Sequence, residues 1–210
     1  TGGSVHHIAV FDLDGDGTND STVQNPAWVY PNANPVNVSL TVSRLCGPSS
    51  TFTKSIVPLQ QITTGVAPNN GLGDGASVYF DLDVTNPMGV SIESLDIFGS
   101  VSSVPFTIDM YVKPGTYTGF EGTAAEWAMV GTAAGTTNGT ATTVPSNALF
   151  PQTIYLPPGQ HGIKLHYLGT GPRYTTGSGI LSWSNSDVTL TAGTSRGTST
   201  TNPWSGSNIT

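Results

Sequence analysis

Apolar residues recur at every second position through most of this chain, and that period constrains its fold more than any other feature of the sequence. The segments 36–44, 77–85, 105–113, 161–169 and 186–193 each alternate apolar with polar side chains. Such alternation is typical of β-strands that are buried on one face. Clusters of Gly, Pro and Asn bound most of these segments, as turns do. The sequence therefore predicts an all-β, antiparallel β-sandwich of jelly-roll-like form.

The organisation of the chain follows from a turn-rich stretch at residues 63–77, which contains no strand pattern until its end. We predict one domain over residues 1–210, made of an N-terminal extension (1–62) and a main sandwich (63–210). Two separate domains are less expected, because about sixty residues alone make a poor core. The segment 122–131 is the one place where a helical turn is expected.

Charge is scarce and its balance is acidic. Charged residues make up 9% of the 210 residues, with six Lys and Arg and a net charge of −7. Binding to nucleic acid or to an anionic membrane surface needs a basic patch, so neither partner is expected. The Thr-, Ser-, Gly- and Asn-rich polar positions indicate a neutral surface, which suits an extracellular or cell-surface module.

Other local features agree with an extracellular setting without requiring it. Cys46 is the only cysteine, so no disulfide forms within the chain; we expect a buried or inert thiol, and an intermolecular bridge is the alternative. No apolar run approaches the roughly 20 residues of a membrane span. The chain opens at Thr1 without a signal segment, so we expect a processed form or a fragment. Glycosylation is permitted at four sequons: Asn19, Asn37, Asn138 and Asn208.

The segment FDLDGDGTND (residues 11–20) concentrates four aspartates in this weakly charged chain. The first three are spaced two residues apart, and the last occupies the ninth position of the loop. Ca²⁺ takes about six to eight oxygen ligands, which such a loop can supply together with a backbone carbonyl at its seventh position. An acidic turn without metal and a catalytic carboxylate pair are the alternatives. We predict a calcium site formed by these residues: Asp12, Asp14, Asp16, Thr18 (through its carbonyl) and Asp20.

This spacing resembles known calcium loops. The EF-hand pattern matches only in part, because its twelfth position is Val23 here and the bidentate Glu is missing. The loop is more similar to the short D-x-D-x-D-G-x-x-D loops of integrin-type propeller repeats and thrombospondin type 3 repeats. In those families the ninth-position Asp completes the shell. The resemblance implies a structural Ca²⁺ ion in a loop that joins two β segments.

A second set of motifs follows in order through residues 65–207: MYVKPGTYTGF, a Trp in EGTAAEWAMVG, IYLPPGQHG, and YTTGSGILSWSNSDVTLTAG before NPWSG. This order resembles a β-sandwich module that recurs in bacterial secreted and cell-surface proteins. The resemblance implies an extracellular accessory, adhesive or structural role and supplies no catalytic residues. The acidic loop is not part of that pattern.

Signals for catalysis are weak. GTSRG (residues 193–197) matches the G-x-S-x-G nucleophile elbow, but no helix is expected after Ser195 and no His follows it. His161 and His166 lie on opposite faces of one strand, as do His6 and His7, so no zinc site is expected.

Three acidic residues could in principle form the carboxylate pair of a glycosidase, but no spacing on one strand supports it: Glu93, Glu121 and Glu126. We therefore predict a non-enzymatic protein, and a hydrolase fragment ranks last among the hypotheses.

Aromatic residues in turn-rich segments offer an alternative function. Rings exposed in a row on a sandwich would stack on sugar faces, as in a carbohydrate-binding module of an extracellular enzyme or adhesin. The other interpretation, which we prefer, is that the rings cap the ends of the core. The candidates for sugar stacking are Trp28, Trp127, Tyr174, Trp183 and Trp204.

The N-terminal segment is apolar on both faces, which is typical of a strand inside a sheet or between layers. We expect it to add to a sheet edge of a neighbouring copy and so build a filament or layer. The leading hypothesis is thus a secreted, calcium-stabilised structural or adhesive protein that assembles with copies of itself. The proposed assembly strand comprises Val5, His6, His7, Ile8, Ala9, Val10 and Phe11.

Overall fold

The computed structural model describes residues 7–30, 34–44, 47–56, 60–64, 68–138, 144–176 and 181–209. Three residues discussed above, Val5, His6 and Cys46, lie outside these ranges. The chain divides into two compact units, Thr1–Gln61 and Ile62–Thr210.

Regular structure in the described residues is β-strand, apart from the three-residue 3₁₀ helix Ala124–Glu126, so the all-β prediction is confirmed. That short helix lies in the one segment expected to form a helical turn. No described helix has the length and apolar character needed to span a membrane. The strands are β1 (His7–Asp12), β2 (Val36–Arg44), β3 (Ser50–Ile56), β4 (Asn70–Gly71), β5 (Ser77–Val84), β6 (Val90–Ile97), β7 (Ser102–Pro114), β8 (Ala128–Asn138), β9 (Ser146–Leu156), β10 (Gly159–Leu168), β11 (Arg173–Tyr174), β12 (Ser182–Ser184), β13 (Val188–Arg196) and β14 (Asn208–Ile209).

The first unit contains a three-stranded antiparallel sheet in the order β1-β2-β3. The alternation in β2 places its apolar side chains on one face, where Leu40 lies between Phe11 of β1 and Phe52 of β3. None of the described residues of this unit is buried, and Phe52 is 68% exposed. The described strands therefore leave their apolar face only partly covered.

The second unit is built on a large curled antiparallel sheet. Its strands follow the order β12-β13-β5-β10-β7-β8-β9-β6, and β14 pairs with β13. Register shifts interrupt the ladders of β13 with β5, of β6 with β9 and of β7 with β8. Because such irregularities bend a strand and increase its twist, they help the sheet to curl on itself. The result is a sandwich-like unit, as the sequence predicted.

The inner face of the curled sheet forms the core. Ile108 of β7, Ile163 of β10 and Ala133 of β8 are fully buried, and Met110 is 1% exposed. Ile108, Met110 and Ile163 are apolar positions of the period-two pattern, and burying one such large side chain contributes about 1.5–3 kcal/mol. The core is therefore specified directly by the alternation in the sequence.

The outer face of β5, β10 and β7 is also buried at its centre, which the alternation did not indicate. Tyr79 is 1% exposed, Lys164 0% and His166 2%. Two segments cover this face, one leading to the 3₁₀ helix and one following β13. Tyr79 Oη donates a hydrogen bond to the Glu121 carbonyl in the first, and Lys164 Nζ donates to the Pro203 carbonyl in the second.

Candidate functional site

The acidic loop begins at Asp12, the last residue of β1, and its two ends are tied together. The Phe11 N–H donates to the Ser21 carbonyl at 2.8 Å, and the Asp20 N–H donates to the Phe11 carbonyl at 2.8 Å. These backbone bonds close the loop at its base and hold its first and last carboxylates near each other.

Three of the four aspartates converge in this loop. Asp12, Asp14 and Asp20 each offer a carboxylate oxygen, and these oxygens lie within 4.8 Å of one another. Backbone N–H groups hold two of the carboxylates in place: Asp12 accepts from Gly15 and Gly17 at 2.7 and 3.0 Å, and Asp20 accepts from the Leu13 N–H at 2.6 Å. The carboxylates are thus oriented by the loop itself.

The fourth aspartate, Asp16, directs its carboxylate towards Thr18. Asp16 Oδ1 accepts hydrogen bonds from the Thr18 N–H and Oγ1, each at 2.7 Å, and Asp16 is not a member of the three-carboxylate cluster. The Thr18 hydroxyl and then the Thr18 N–H lower the pKa of the Asp16 carboxyl. Asp16 is therefore ionised at neutral pH, beside but outside the cluster.

Gly17 shows why the loop needs glycine. Its φ of +87° lies in the left-handed region, which residues other than glycine rarely adopt. That conformation directs the Gly17 N–H to Asp12 Oδ2 at 3.0 Å. A residue with a Cβ at this position would strain the turn that gathers the carboxylates.

Tyr30 is a member of this region that the sequence did not indicate. Partial burial, followed by the negative charges of Asp14 and Asp20, raises the pKa of its hydroxyl. No spacing rule could have found it, because the chain between residues 20 and 30 has no regular period.

The cluster is chemically suited to a hard cation. Three carboxylates provide oxygen donors only, and hard divalent cations prefer oxygen ligands. Three negative charges so close also repel one another, and a bound cation would relieve that repulsion. Asp12, Asp14 and Asp20 can therefore hold a metal ion.

The proposed assembly strand is described only in part. β1 pairs along its length with β2, from His7 opposite Arg44 to Asp12 opposite Ser39. Its apolar pattern indicated a central strand, but β1 lies at the edge of the described sheet, and Ile8 is 57% exposed. On the outer edge of β1, Phe11 is bridged to Ser21. Val10 points to the face opposite Leu40, where its β2 partner is the polar Thr41.

The aromatic candidates for sugar stacking do not all lie near one another. Trp127 is 9% exposed, and its ring lies 6.1 Å from that of the half-buried Trp204. Trp28 is 40% exposed in the first unit, and Tyr174 and Trp183 are half-buried in β11 and β12. Among the described ring pairs, Trp127 with Trp204 is the one that joins two of these candidates.

The remaining candidates lie in ordinary structural positions. Ser195 is inside β13, opposite Val78 and Ile209, and is 5% exposed. His161 Nε2 lies 2.8 Å from the Pro157 carbonyl, on the face of β10 opposite that of His166. The four sequon asparagines, Asn19, Asn37, Asn138 and Asn208, are all exposed.

A buried polar cluster in the second unit was missed altogether from the sequence. Lys164, His166 and Ser77 lie beneath the segment after β13, with the Trp204 ring 3.4 Å from Lys164 Nζ. The sequence gives one indirect signal, since cationic residues alternate with the apolar residues of β10. No family model matches this sequence, and no curated protein is significantly similar to it.

Proposed function

We propose that this chain is a calcium-stabilised, non-enzymatic structural or adhesive module of an extracellular or cell-surface protein. The observation that carries the proposal is the convergence of Asp12, Asp14 and Asp20 within 4.8 Å on a loop whose ends are tied by backbone hydrogen bonds. In the proposal the loop holds an ion for stability, because the bound ion would hold together three carboxylates that otherwise repel one another.

Calcium fits the donor set better than magnesium. Ca²⁺ accepts irregular arrangements of about six to eight oxygens at roughly 2.3–2.6 Å, whereas Mg²⁺ demands near-ideal octahedral geometry and keeps several waters. The acidic side chains belong to one short irregular loop rather than to a fixed octahedral cage. In the proposal a rotation of the Asp16 side chain away from Thr18 brings it to the ion, and the Thr18 carbonyl completes the shell.

An extracellular setting agrees with the surface and with the site. Extracellular calcium modules function with dissociation constants of about 10⁻⁴–10⁻³ M, which a single exposed loop can achieve. The exposed sequons and the scarcity of charge, 9% of residues, fit a secreted surface. The resemblance of residues 65–207 to a module of bacterial surface proteins points in the same direction.

Self-assembly is the proposed role of the first unit. Its described residues include no buried side chain, and the apolar face around Leu40 and Phe52 needs a further layer for stability. β1 and β3 are the edges of this described sheet, and edge strands accept further strands wherever their backbone groups are unpaired; on β1 the Phe11 position is already bridged to Ser21. In the proposal a strand of a second copy adds there, and repetition gives a filament or layer.

The position of Ser195 supports a non-enzymatic role. Its side chain is 5% exposed within a paired strand, so a substrate could not reach it without opening the sheet. We expect that a serine-directed phosphonate does not label the folded protein. Labelling at Ser195 would contradict this part of the proposal.

Calcium binding is tested by calorimetric titration of the full chain with Ca²⁺ and by thermal unfolding in Ca²⁺ and in chelator. We expect one ion per chain and a higher Tm in Ca²⁺, because binding to the native state adds stability. An unchanged Tm together with no heat of binding would overturn the calcium role.

Assembly is tested separately, by electron microscopy and sedimentation of the full chain and of a variant lacking residues 1–11, both in Ca²⁺. We expect polymers from the full chain and none from the shortened one. Monomers from both would reject assembly, and unfolding of the shortened chain would show that β1 serves only its own unit.

A further inference from the structure

The segment after β13 folds back over the second unit and is called here the C-terminal strap, residues 197–209. Its far end returns to β13, where Asn208 pairs with Arg196 and the Arg196 guanidinium donates to the Gly206 carbonyl, through Nε at 3.0 Å. Its middle packs closely on a turn, because a Cβ at Gly75 would lie 2.4 Å from the Thr200 nitrogen. The strap is thus a distinct layer held at defined points.

One of these points is the amine of Lys164. The Lys164 Nζ donates to the Pro203 carbonyl and lies 3.4 Å from the centre of the Trp204 ring and 5.1 Å from that of Tyr111. The side chain is fully buried, and among the described residues no carboxylate pairs with it. The ring faces offset part of the lost hydration of an ammonium, but nothing neutralises its charge.

A second point is His166, next but one along β10 and on the same face. Its Nδ1 lies 3.2 Å from Ser77 Oγ and 3.5 Å from Thr198 Oγ1 of the strap. Thr198 Oγ1 donates its proton to the Gly75 carbonyl, so it accepts from its other neighbours. A consistent chain runs from His166 Nδ1–H to Ser77, from Ser77 to Thr198, and on to Gly75. It ties the strap to β5 and β10.

The charged and titratable groups around Lys164 are few. Tyr79 of β5 and Tyr111 of β7 present ring faces to its amine, and Arg196 of β13 adds a positive charge. The strap contributes a carbonyl and an indole and no acidic side chain to this contact. Every group facing Lys164 is therefore neutral or cationic at neutral pH.

His166 has two acidic neighbours, both engaged elsewhere. Asp109 lies opposite it on β7, and its Oδ1 accepts from Thr132 Oγ1 at 2.7 Å. Asp74, in the turn before β5, accepts from the Gly169 N–H at 2.8 Å. The negative charges of both aspartates raise the pKa of His166, while the neighbouring Lys164 lowers it.

We propose that the C-terminal strap is an acid-sensitive latch: protonation of His166 and Lys164, which lie side by side beneath it without a bonded carboxylate, releases the strap from the sheet. Release exposes both cations to water, which hydrates them. It also uncovers the rings of Tyr111 and Trp127, on which Trp204 packs, and frees the end of β13 from β14.

The direction of the effect follows from proton linkage. Burial, and then the charge of Arg196, lowers the pKa of Lys164 to about 7. Burial, and then the charge of Lys164, lowers the pKa of His166. The closed strap therefore binds fewer protons than the open one, and acidification favours the open form. The closed state becomes more stable relative to the open state as the pH rises through the range in which both groups lose their protons.

The test is hydrogen exchange of the full chain, read by mass spectrometry at pH 8.5 and 5.5 and corrected for intrinsic exchange. We expect the protection of strap amides 197–209 to fall roughly tenfold or more on acidification, while β7 and β10 remain protected. Equal protection of the strap at both pH values would overturn the proposal.

Variants separate the two protonating groups. Lys164→Met removes the amine, and His166→Asn keeps a donor near the Nδ1 position without a titrating ring. The double variant should lose the pH dependence of strap protection, and a double variant that keeps it in full would contradict the latch. Lys164→Arg retains a permanent charge, so strap protection should already be low at pH 8.5; wild-type protection there would likewise overturn the proposal, whether or not the double variant folds.

The matched control is His161→Gln. His161 belongs to the same strand but faces the other side of the sheet and contacts the Pro157 carbonyl through Nε2. This variant should keep the wild-type pH profile of the strap. A loss of the pH dependence in the control would assign the effect to His161, on the other face of the sheet, and would reject the latch.

Discussion

The amine of Lys164 lies 3.4 Å from the centre of the Trp204 ring, and that ring packs at 5.3 Å from Tyr111 and 6.1 Å from Trp127. This relationship joins a central strand of the sheet to a segment close to the carboxyl end of the chain. The second unit therefore has two buried layers: an apolar core inside the curled sheet and an aromatic, polar layer outside it. The segment after β13 is part of the fold, because without it the side chains of Lys164 and His166 would be exposed to solvent.

The acidic loop should lose its response to calcium when one converging carboxylate is neutralised. Asp20→Asn keeps the shape of the side chain but removes a charge from the cluster of Asp12, Asp14 and Asp20. We expect the rise of Tm in Ca²⁺ to fall by at least half, as measured by calorimetry.

The control for this change is Asp83→Asn, which neutralises an exposed carboxylate on β5. This variant should respond to Ca²⁺ as the wild type does. An equal loss of response in both variants would indicate that net charge, and not the loop, causes the effect.

Two leucines should differ sharply in their contribution to stability. Leu165 of β10 is 5% exposed in the core, whereas Leu149 of β9 is 61% exposed. Leu165→Ala should lower the free energy of unfolding by about 2–5 kcal/mol, because it removes buried surface and leaves a cavity. Leu149→Ala should change it by no more than about 0.5 kcal/mol. Denaturant unfolding measures both, and similar losses would argue against the assigned core.

Gly75 should be irreplaceable for a reason beyond its backbone angle. Its φ is +83°, and a Cβ would lie 2.4 Å from the Thr200 nitrogen of the strap. Gly119 has a φ of +86° but nothing within 4 Å of such a Cβ. Both alanine variants carry the same backbone strain, so the excess destabilisation of Gly75→Ala reports the close approach of the strap. We expect an excess of roughly 1–3 kcal/mol in thermal or denaturant unfolding, and none if the strap lies elsewhere.

Alkaline pH should destabilise the second unit through Tyr79. Burial raises the pKa of Tyr79 to about 12, against 10.0 for an exposed tyrosine. The folded state thus holds a proton that the unfolded state releases, so stability is lost as the pH rises from about 10 to 12. Tyr79→Phe should weaken this dependence, although it also removes the hydrogen bond to the Glu121 carbonyl. Tyrosinate absorbance during alkaline titration should show the buried phenols ionising only with unfolding; early ionisation of all seven tyrosines would contradict this.

The candidate metal centre was predictable only in part. The spacing of Asp12, Asp14 and Asp20 was sufficient to place them in one loop, because adjacent residues in a closed turn stay close whatever the rest of the chain does. The orientation of Asp16 was not predictable, because it depends on the hydrogen bonds of Thr18. The effect of the acidic loop on the pKa of Tyr30 was missed for the same kind of reason, since it depends on the path of an irregular segment.

The sequence by itself determined the strands and which of their side chains share a face, because a period of two is a property of the extended backbone and needs no tertiary contact. Ile108, Met110 and Ile163 fall in the core for this reason. Only the tertiary structure decided that the opposite face is covered too. Lys164 and His166 are polar residues at outward positions, and they are buried because a strap distant in sequence crosses them. Local periodicity assigns a residue to a face, whereas burial depends on what packs against that face.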